Sequence, residues 1–280
     1  MIIDFTYKSP QGDVLNLANN NDFILTNVDG LTANDNSISA ANVAFQDGDT
    51  ITNVRANPRA IVVYCEFKQG VNVETAKRAI MNVIKPKQTG VLTYTHNKRV
   101  LTINATVEKI ALPRFSDKCV MQITFYCSYS FWQDAAFIIS DIKRVVALHH
   151  FELVITGTNP LILGKIGGQT TRTIENNGDV SVGVNIVIVA FGAYTNPRIE
   201  RTIDGAFFKI NATMSAGDVI EINTTRGNKY VRLNGQNIIN DVVTGSTWLQ
   251  LDVGENELTL SDDNNSGNAY MQIKHKRSFV

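Results

Sequence analysis

Residues Ile61-Val62-Val63-Tyr64-Cys65-Glu66-Phe67 give the clearest structural signal in the chain. Five of these seven residues are β-branched or aromatic, which favours an extended strand. Residues 1–17 alternate apolar and polar side chains around a polar turn at 9–13, and so predict a hairpin. Further strands are predicted over 90–95, 99–110 and 118–126. The first half of the chain is therefore predicted to be mainly β.

Two helices are predicted within this β-rich half. The first spans 73–84, with Asn72 as its N-cap and with apolar residues that recur at helical spacing. It ends at Lys85-Pro86, because the residue before a proline avoids the helical region. The second spans 134–148, where apolar residues again recur every three to four positions. This second helix is predicted to link two domains.

The segment 32–50 is polar and poor in large apolar residues. It is predicted to be a long loop or a protruding arm. Long segments of this kind in compact domains are usually functional or disordered, and the sequence leaves both options open.

The chain beyond residue 149 has a different pattern. Helical periodicity is absent, and turn signals such as Asn176-Asn177-Gly178-Asp179 and Asn234-Gly235 alternate with short apolar strands. This spacing is typical of a sandwich or a barrel. The sequence therefore predicts two β-dominated domains, 1–133 and 149–280, joined by residues 134–148.

Composition sets limits on the class of protein. The 280 residues are 44% hydrophobic and 19% charged, enough to bury a sizeable core. Apolar runs are far shorter than the 18 residues that a membrane span needs, and we expect no membrane partner. The first residues lack the basic flank and apolar stretch of a signal peptide. Cys65, Cys119 and Cys127 are predicted to be reduced and buried, in a protein made in a cytoplasm.

Charge is distributed unevenly along the chain. Residues 1–54 carry a net charge of −6 and residues 55–144 carry +8, while the whole chain is neutral. These segments are complementary either within one fold or between neighbouring subunits packed head to tail. If the second holds, reversing Arg55 and Arg59 to Glu weakens oligomerisation, most strongly at low salt.

Residues that could carry catalysis are sparse. His149 and His150 are adjacent and point to different sides of any regular element, which makes a poor metal chelate. Motifs for zinc proteases, serine hydrolases and nucleotide binding do not occur. The sequence predicts no enzyme, no cofactor, no metal site and no catalytic residue.

Four further features could be binding sites, but each has a structural explanation. The glycine-rich run 163–168 lacks the ending of a phosphate loop and is interpreted as a turn. The run 262–267 lacks the last carboxylate of a calcium loop and is interpreted as a solvated hairpin loop. Aromatics at 126–132 are interpreted as a core or inter-domain anchor. Trp248 is interpreted as a structural aromatic beside the strand 249–251.

An ordered series of short motifs resembles the distal tail protein family of siphophages. No single motif is specific, but together they cover nearly the whole chain in order. The motifs are LTNVDGL (25–31), QDGDT (46–50), PRAI (58–61), IKPK (84–87), GVLTY (90–94), PRF (113–115), QITFYC (122–127), FW (131–132), IENNGDVSVG (174–183), NP (196–197), AGDVIEINT (216–224) and VRLNG (231–235). One departure is CSYSFW at 127–132, where relatives often carry CPDPFW.

The resemblance implies a fold and a role. It implies a barrel-like β N-terminal domain with a helix and an extended hairpin, which builds a ring, usually a hexamer. It also implies a C-terminal galectin-like β-sandwich. Such a ring lies at the distal end of a virion tail assembled in the bacterial cytoplasm. It joins the tail tube protein to the tail-tip protein, docks receptor-binding proteins in many phages, and lets DNA pass through its channel.

A second interpretation is a carbohydrate-binding or adhesive module that acts through the C-terminal sandwich. Trp248 is its aromatic candidate platform, and the spacing of Trp248 and His275 does not match the sugar site of galectins. The sequence assigns no binding residues, because a tail hub acts through extended surfaces.

Overall fold

The computed structural model describes residues 4–18, 20–32, 35–42, 44–45, 47–85, 87–97, 99–112, 120–142, 145–147, 164–166 and 171–280. The chain forms two compact units. The N-terminal unit comprises Met1–Ala135 together with Ser278–Val280, and the C-terminal unit comprises Ala136–Arg277.

The described elements are almost all strands. The N-terminal unit begins with β1 (Asp4–Lys8), β2 (Val14–Asn16), β3 (Phe23–Asp29), β4 (Asn36–Asn42), β5 (Asp49–Ala56), β6 (Arg59–Phe67), α1 (Val73–Val83), β7 (Thr89–His96), β8 (Arg99–Ala111), β9 (Val120–Cys127) and β10 (Trp132–Asp134).

The C-terminal unit follows in the chain. It contains β11 (Ile138–Ile142), β12 (Val145–Ala147), β13 (Gly164–Ile166), β14 (Thr171–Asn176), β15 (Val182–Ala190), β16 (Tyr194–Thr195), β17 (Arg198–Arg201), β18 (Phe207–Lys209), β19 (Thr213–Met214), β20 (Val219–Asn223), β21 (Tyr230–Leu233), β22 (Gln236–Asn237), a 3-10 turn (Ile239–Asp241), β23 (Gln250–Leu251), β24 (Gly254–Ser261) and β25 (Ala269–His275). The last strand, β26 (Ser278–Phe279), belongs to the N-terminal unit.

One antiparallel sheet organises the N-terminal unit. Its order is β2-β1-β7-β8-β9-β6-β3, with β10 paired to β8 and β26 paired to β10. In β6, Ile61, Val63, Cys65 and Phe67 are buried while the residues between them are not, which confirms the predicted strand. The predicted hairpin in 1–17 is also confirmed, because β1 pairs with β2. Within the described residues the end strands β2 and β3 do not pair, so this barrel-like sheet is not closed.

Helix α1 packs one face on this sheet. The Asn72 side chain accepts a hydrogen bond from the Thr75 backbone N–H, as an N-cap does. Ala76, Ile80 and Ile84 are buried at helical spacing, so the predicted helix is confirmed. Among the described residues this helix of 11 residues is the longest, and none is long and apolar enough to cross a membrane.

The C-terminal unit is a sandwich of two antiparallel sheets. One sheet runs β11-β25-β15-β20-β21-β22, with β23 paired to β15, and the other runs β14-β24-β17-β18. Alternate residues of β15, from Val182 to Ala190, face a core shared with Leu258 and Leu260 of β24. The mainly β fold class, with a C-terminal sandwich, is therefore confirmed.

The predicted linking helix over 134–148 is wrong. Residues 132–134, 138–142 and 145–147 are strands β10, β11 and β12. Every residue from Ile138 to Ile142 pairs with β25, so a partner distant in sequence supplies the backbone hydrogen bonds that a helix would have supplied locally. The segment is rich in Ile and Val, which suit a pleated sheet.

The division of the chain differs from the predicted one at two places. The C-terminal unit begins at Ala136 instead of residue 149, because β11 is one of its sheet strands. Residues 278–280 return to the N-terminal unit instead of ending the C-terminal one. The chain therefore passes between the units twice.

Candidate subunit-interaction surface

Strands β4 and β5 form a hairpin, here called the arm (Asn36–Ala56). They pair only with each other in the described residues and make a two-stranded sheet of their own. Every residue of β4 is exposed, and so is every residue of β5 except Ala56. An isolated two-stranded hairpin is marginally stable in water, so a partner that covers the arm would stabilise it. Of the two predicted options for 32–50, the structure shows the protruding arm.

The arm has one apolar face. Ile38 lies opposite Val54, and Ala40 lies opposite Ile51. The register shifts between Ser39 and Ala40, which leaves one extra residue in β5 and brings Ile51 to the same face as Val54. Ile38, Ile51 and Val54 are each more than half exposed.

The opposite face of the arm is polar. It carries Ser37 opposite Arg55, Ser39 opposite Asn53, and Ala41 opposite Thr50. The hydrophobic pattern is therefore that of a strand pair with one buried side, although nothing in the described part of the chain covers that side.

Phe45 lies at the tip of the arm. Its side chain is fully exposed, and its backbone φ is +68°. A bulky residue in this left-handed region is strained. Strain at an exposed aromatic points to a role in binding, since neither the local backbone nor burial within the chain favours this arrangement.

The base of the arm is fixed by hydrogen bonds from neighbouring strands. The Arg59 guanidinium donates to the carbonyls of Gly30 and Leu31, with N···O distances of 3.2 and 2.9 Å. The Trp132 indole N–H also donates to the Leu31 carbonyl, at 3.2 Å, and the Ser130 hydroxyl donates to the Asn57 carbonyl. Hydrogen bonds therefore hold the chain at Gly30 and Leu31 before the arm and at Asn57 after it.

Gly30 is needed at this base for steric reasons. Its φ is +84°, and a Cβ atom there would lie 2.1 Å from the Ala60 carbonyl oxygen. The chain therefore passes against β6 at Gly30, six residues before the arm begins, and any side chain there would force it away.

Arg59 is not a surface charge. It is 4% exposed, and burial lowers the pKa of its guanidinium from the ordinary value, partly offset by the nearby Cys127. The expectation that reversing Arg55 and Arg59 to Glu tests surface complementarity is therefore wrong for Arg59, because Glu there would face the carbonyls of the arm base. Arg55 is exposed and remains a surface charge.

The other sequence candidates have structural roles. The Asp262 carboxylate accepts hydrogen bonds from the Ser266 N–H and hydroxyl, and Asp263 pairs with Lys209 and Asn196 at 2.6 Å each. The hydrogen bond from Asn196 and, to a smaller extent, that from Lys209 lower the pKa of Asp263. The run 262–267 connects β24 to β25, strands of different sheets, so it is a crossover loop and not a hairpin.

Trp248 does not present an open platform. Its ring packs on Phe208 with centroids 5.0 Å apart, and the Lys229 ammonium lies 5.3 Å from its centroid. The structural interpretation of Trp248 is confirmed. Of the aromatics at 126–132, Trp132 lies in the core of the N-terminal unit, and Tyr129 packs edge-on against Phe131, whereas Tyr126 is exposed.

The remaining candidates are either buried or outside the described residues. Cys65 and Cys127 are free thiols in the core, as predicted. Cys119, His149, His150 and all of the run 163–168 except β13 lie outside the described residues. Among the described residues, no three His, Cys, Asp or Glu side chains converge as a metal site requires.

Comparison with known families places both units. Residues 11–127 match the family described as the phage tail protein RIFT-related domain. Residues 177–279 match the family described as the siphovirus-type tail component, C-terminal domain. The two matches together span more than three quarters of the chain.

Solved structures show the same fold. The crystal structure of the Dit protein of phage SPP1, described as a paradigm of the hub adsorption apparatus in phages that infect Gram-positive hosts, matches with a TM-score of 0.70 at 15% identity. The phage p2 baseplate in its activated conformation, solved with Ca and with Sr, matches with a TM-score of 0.52 at 12% identity. Each match covers 100% of both chains.

A search of curated protein sequences gave no match. The two family matches nevertheless agree with the order of the two units and with the fold of the whole chain. The chain therefore belongs to the distal tail protein family of siphophages and is a structural component of a phage tail.

Proposed function

We propose that six copies of this protein form a ring at the distal end of a siphophage tail. The ring joins the tail tube to the tail tip and its receptor-binding proteins, and DNA leaves through its central channel. The role is structural and not enzymatic. The observation that carries the proposal is the arm, whose apolar face is uncovered in the single chain.

A second copy of the chain is the partner that fits the arm best. The tip carries Asp47 and Asp49, and the arm has no basic residue before Arg55. Outside the arm, the N-terminal unit has 12 Lys and Arg against 10 Asp and Glu, a net charge of +2, and Lys68 and Arg78 are among its exposed basic residues. The arm and the surface that receives it are then different patches, and such head-to-tail contacts generate rings when the rotation closes.

Burial of the apolar face supplies the attraction. Full burial of a Val or Ile side chain contributes about 1.5–3 kcal/mol. Three such side chains and the tip Phe45 are available on each arm. Every subunit of a closed ring buries one arm, so the contribution is repeated around the ring.

The test replaces the apolar face. In the variant Ile38→Asn with Val54→Asn, two cross-strand neighbours become polar, and we expect the assembled species to be lost at concentrations where the unaltered protein assembles. Sedimentation velocity over a range of concentrations measures this. The matched control is Ala41→Asn with Thr50→Asn, a cross-strand pair on the polar face of the same hairpin.

The two variants distinguish a specific interface from a damaged fold. We expect the control to assemble normally, and both variants to keep the same midpoint of urea unfolding, because the arm lies outside the core. If both variants assemble as well as the unaltered protein, the arm does not hold the ring. If the control also fails to assemble, the apolar face is not the specific cause.

A further inference from the structure

Strand β26 belongs to the N-terminal unit, although it follows the C-terminal unit in the sequence. It pairs with β10, with Phe279 opposite Trp132 and Ser278 opposite Gln133. Residues 136–277, the whole C-terminal unit, lie between these partners in the sequence. The N-terminal unit is therefore discontinuous in sequence although it is compact in space.

The contacts of β26 are those of a core strand. Ser278 is fully buried and Phe279 is 6% exposed. The Ser278 hydroxyl accepts a hydrogen bond from the Tyr129 hydroxyl at 3.3 Å, and the Arg99 guanidinium lies 3.5 Å from the centroid of the Phe279 ring. This cation–π contact and the burial of the ring favour the paired state.

Strand β10, which pairs with β26, and the residues just before it also contact the base of the arm. Trp132 of β10 donates to the Leu31 carbonyl at one end of the arm base, and Ser130 donates to the Asn57 carbonyl at the other. On its other side β10 pairs with β8 only through Gln133 and Asp134. Among the described strands, Trp132 pairs with Phe279 alone, so β26 supplies its strand neighbour, and its ring centroid also lies 6.0 Å from that of Tyr94.

We propose that Ser278–Val280 is a latch that locks the base of the arm. Until β26 pairs with β10, the segment 129–133 lacks one of its two strand neighbours. Its hydrogen bonds to Leu31 and Asn57 at the base of the arm are then weakened. Because the latch follows the C-terminal unit in the chain, the N-terminal unit reaches its assembly-competent form only after residues 136–277 have been synthesised. The latch thus prevents a partly synthesised chain from joining a ring.

Amide hydrogen exchange tests the latch in the full-length protein. Phe279→Ala removes the buried ring, and we expect exchange at 129–134 and at 29–32 to become at least tenfold faster, with no change in β15 of the C-terminal unit. The matched control, Phe191→Ala, removes an exposed ring of the C-terminal unit and leaves exchange at 129–134 unchanged. Unchanged exchange at 129–134 and 29–32 in Phe279→Ala would overturn the proposal.

A second variant covers the case in which Phe279→Ala is misfolded. A chain ending at Arg277 is mixed with a synthetic peptide of residues 276–280, in a Trp248→Phe background where Trp132 is the one remaining tryptophan. We expect red-shifted Trp132 fluorescence without peptide and saturable recovery with it. Native fluorescence without peptide, or no recovery with it, would overturn the latch. Both measurements use dilute, unassembled protein, so they do not depend on whether the proposed ring forms.

Discussion

At the scale of single residues, Arg59 shows how a charged side chain can serve structure. It lies in the motif PRAI at 58–61, immediately after the arm, and its guanidinium joins two successive carbonyls at the opposite end of the arm. A buried Arg with several donors in a fixed fork is suited to such a bridge, and Lys is not.

The first prediction concerns this bridge. Arg59→Ala removes the donor of the Gly30 carbonyl and leaves the Leu31 carbonyl with the Trp132 indole N–H, and we expect the free energy of unfolding to fall by about 1–3 kcal/mol. Urea denaturation measures it. Arg55→Ala, at an exposed position of the arm, should change it by no more than about 0.5 kcal/mol. If the free energy of unfolding falls by the same amount in both variants, the hydrogen bonds from Arg59 do not stabilise the protein.

The second prediction concerns the buried thiols. Burial raises the pKa values of Cys65 and Cys127 from 9.0 to about 12. In a Cys119→Ser variant we expect no reaction with a thiol reagent at pH 8, and complete reaction of both thiols in urea. The thiols ionise at lower pH in the unfolded protein than in the folded one. The stability that the neutral buried thiols contribute is therefore intact below pH 9 and is lost as the pH rises from 9 towards 12. Fast labelling of the native protein at pH 8 would contradict the burial.

At the scale of elements, two similar sequence patterns had different outcomes. The helix over 73–84 was predictable because its signals are local: the Asn72 cap, the buried stripe and the proline at 86. The segment 134–148 has apolar residues at both helical and strand spacing, and long-range pairing with β25 decides its structure. The short motifs indicated the tail family, and the polar segment 32–50 indicated either a long loop or an arm. The apolar face of that arm was not predictable, because it depends on the register shift in β5.

The third prediction concerns the cap of α1. Asn72→Ala removes the acceptor of the Thr75 N–H, and we expect the free energy of unfolding to fall by about 0.5–2 kcal/mol. Asn82→Ala, on the exposed side of the same helix, is the control and should not destabilise the protein, since Ala is the better helix former. If thermal or urea unfolding shows the same loss for both variants, the cap does not stabilise the helix.

At the scale of the whole molecule, two features favour the assembly of several copies through the arm. These are the acidic tip of the arm and its uncovered apolar face. The N-terminal unit provides an acidic arm tip and, outside the arm, exposed basic residues such as Lys68 and Arg78 within a net charge of +2. The C-terminal unit is a separate sandwich with its own core. Surface charges act over about 10 Å at 0.1 M salt, so their contribution to assembly depends on ionic strength.

The fourth prediction follows from this dependence. Asp47→Asn with Asp49→Asn removes the charge of the arm tip, and we expect weaker assembly at low salt and a smaller change in assembly between low and high salt. Sedimentation velocity at several salt concentrations measures both. Asp4→Asn with Asp13→Asn removes the same charge at other exposed positions and is the control. An equal effect of the two double variants would mean that net charge, and not the arm tip, matters.

The most direct test of the proposed ring is electron microscopy of the purified full-length protein. We expect class averages with six-fold symmetry and a central opening, in particles of about six times the 30.9 kDa mass of one chain. Single-chain particles at every concentration, or closed assemblies without a central opening, would contradict a ring that joins the tail tube to the tail tip.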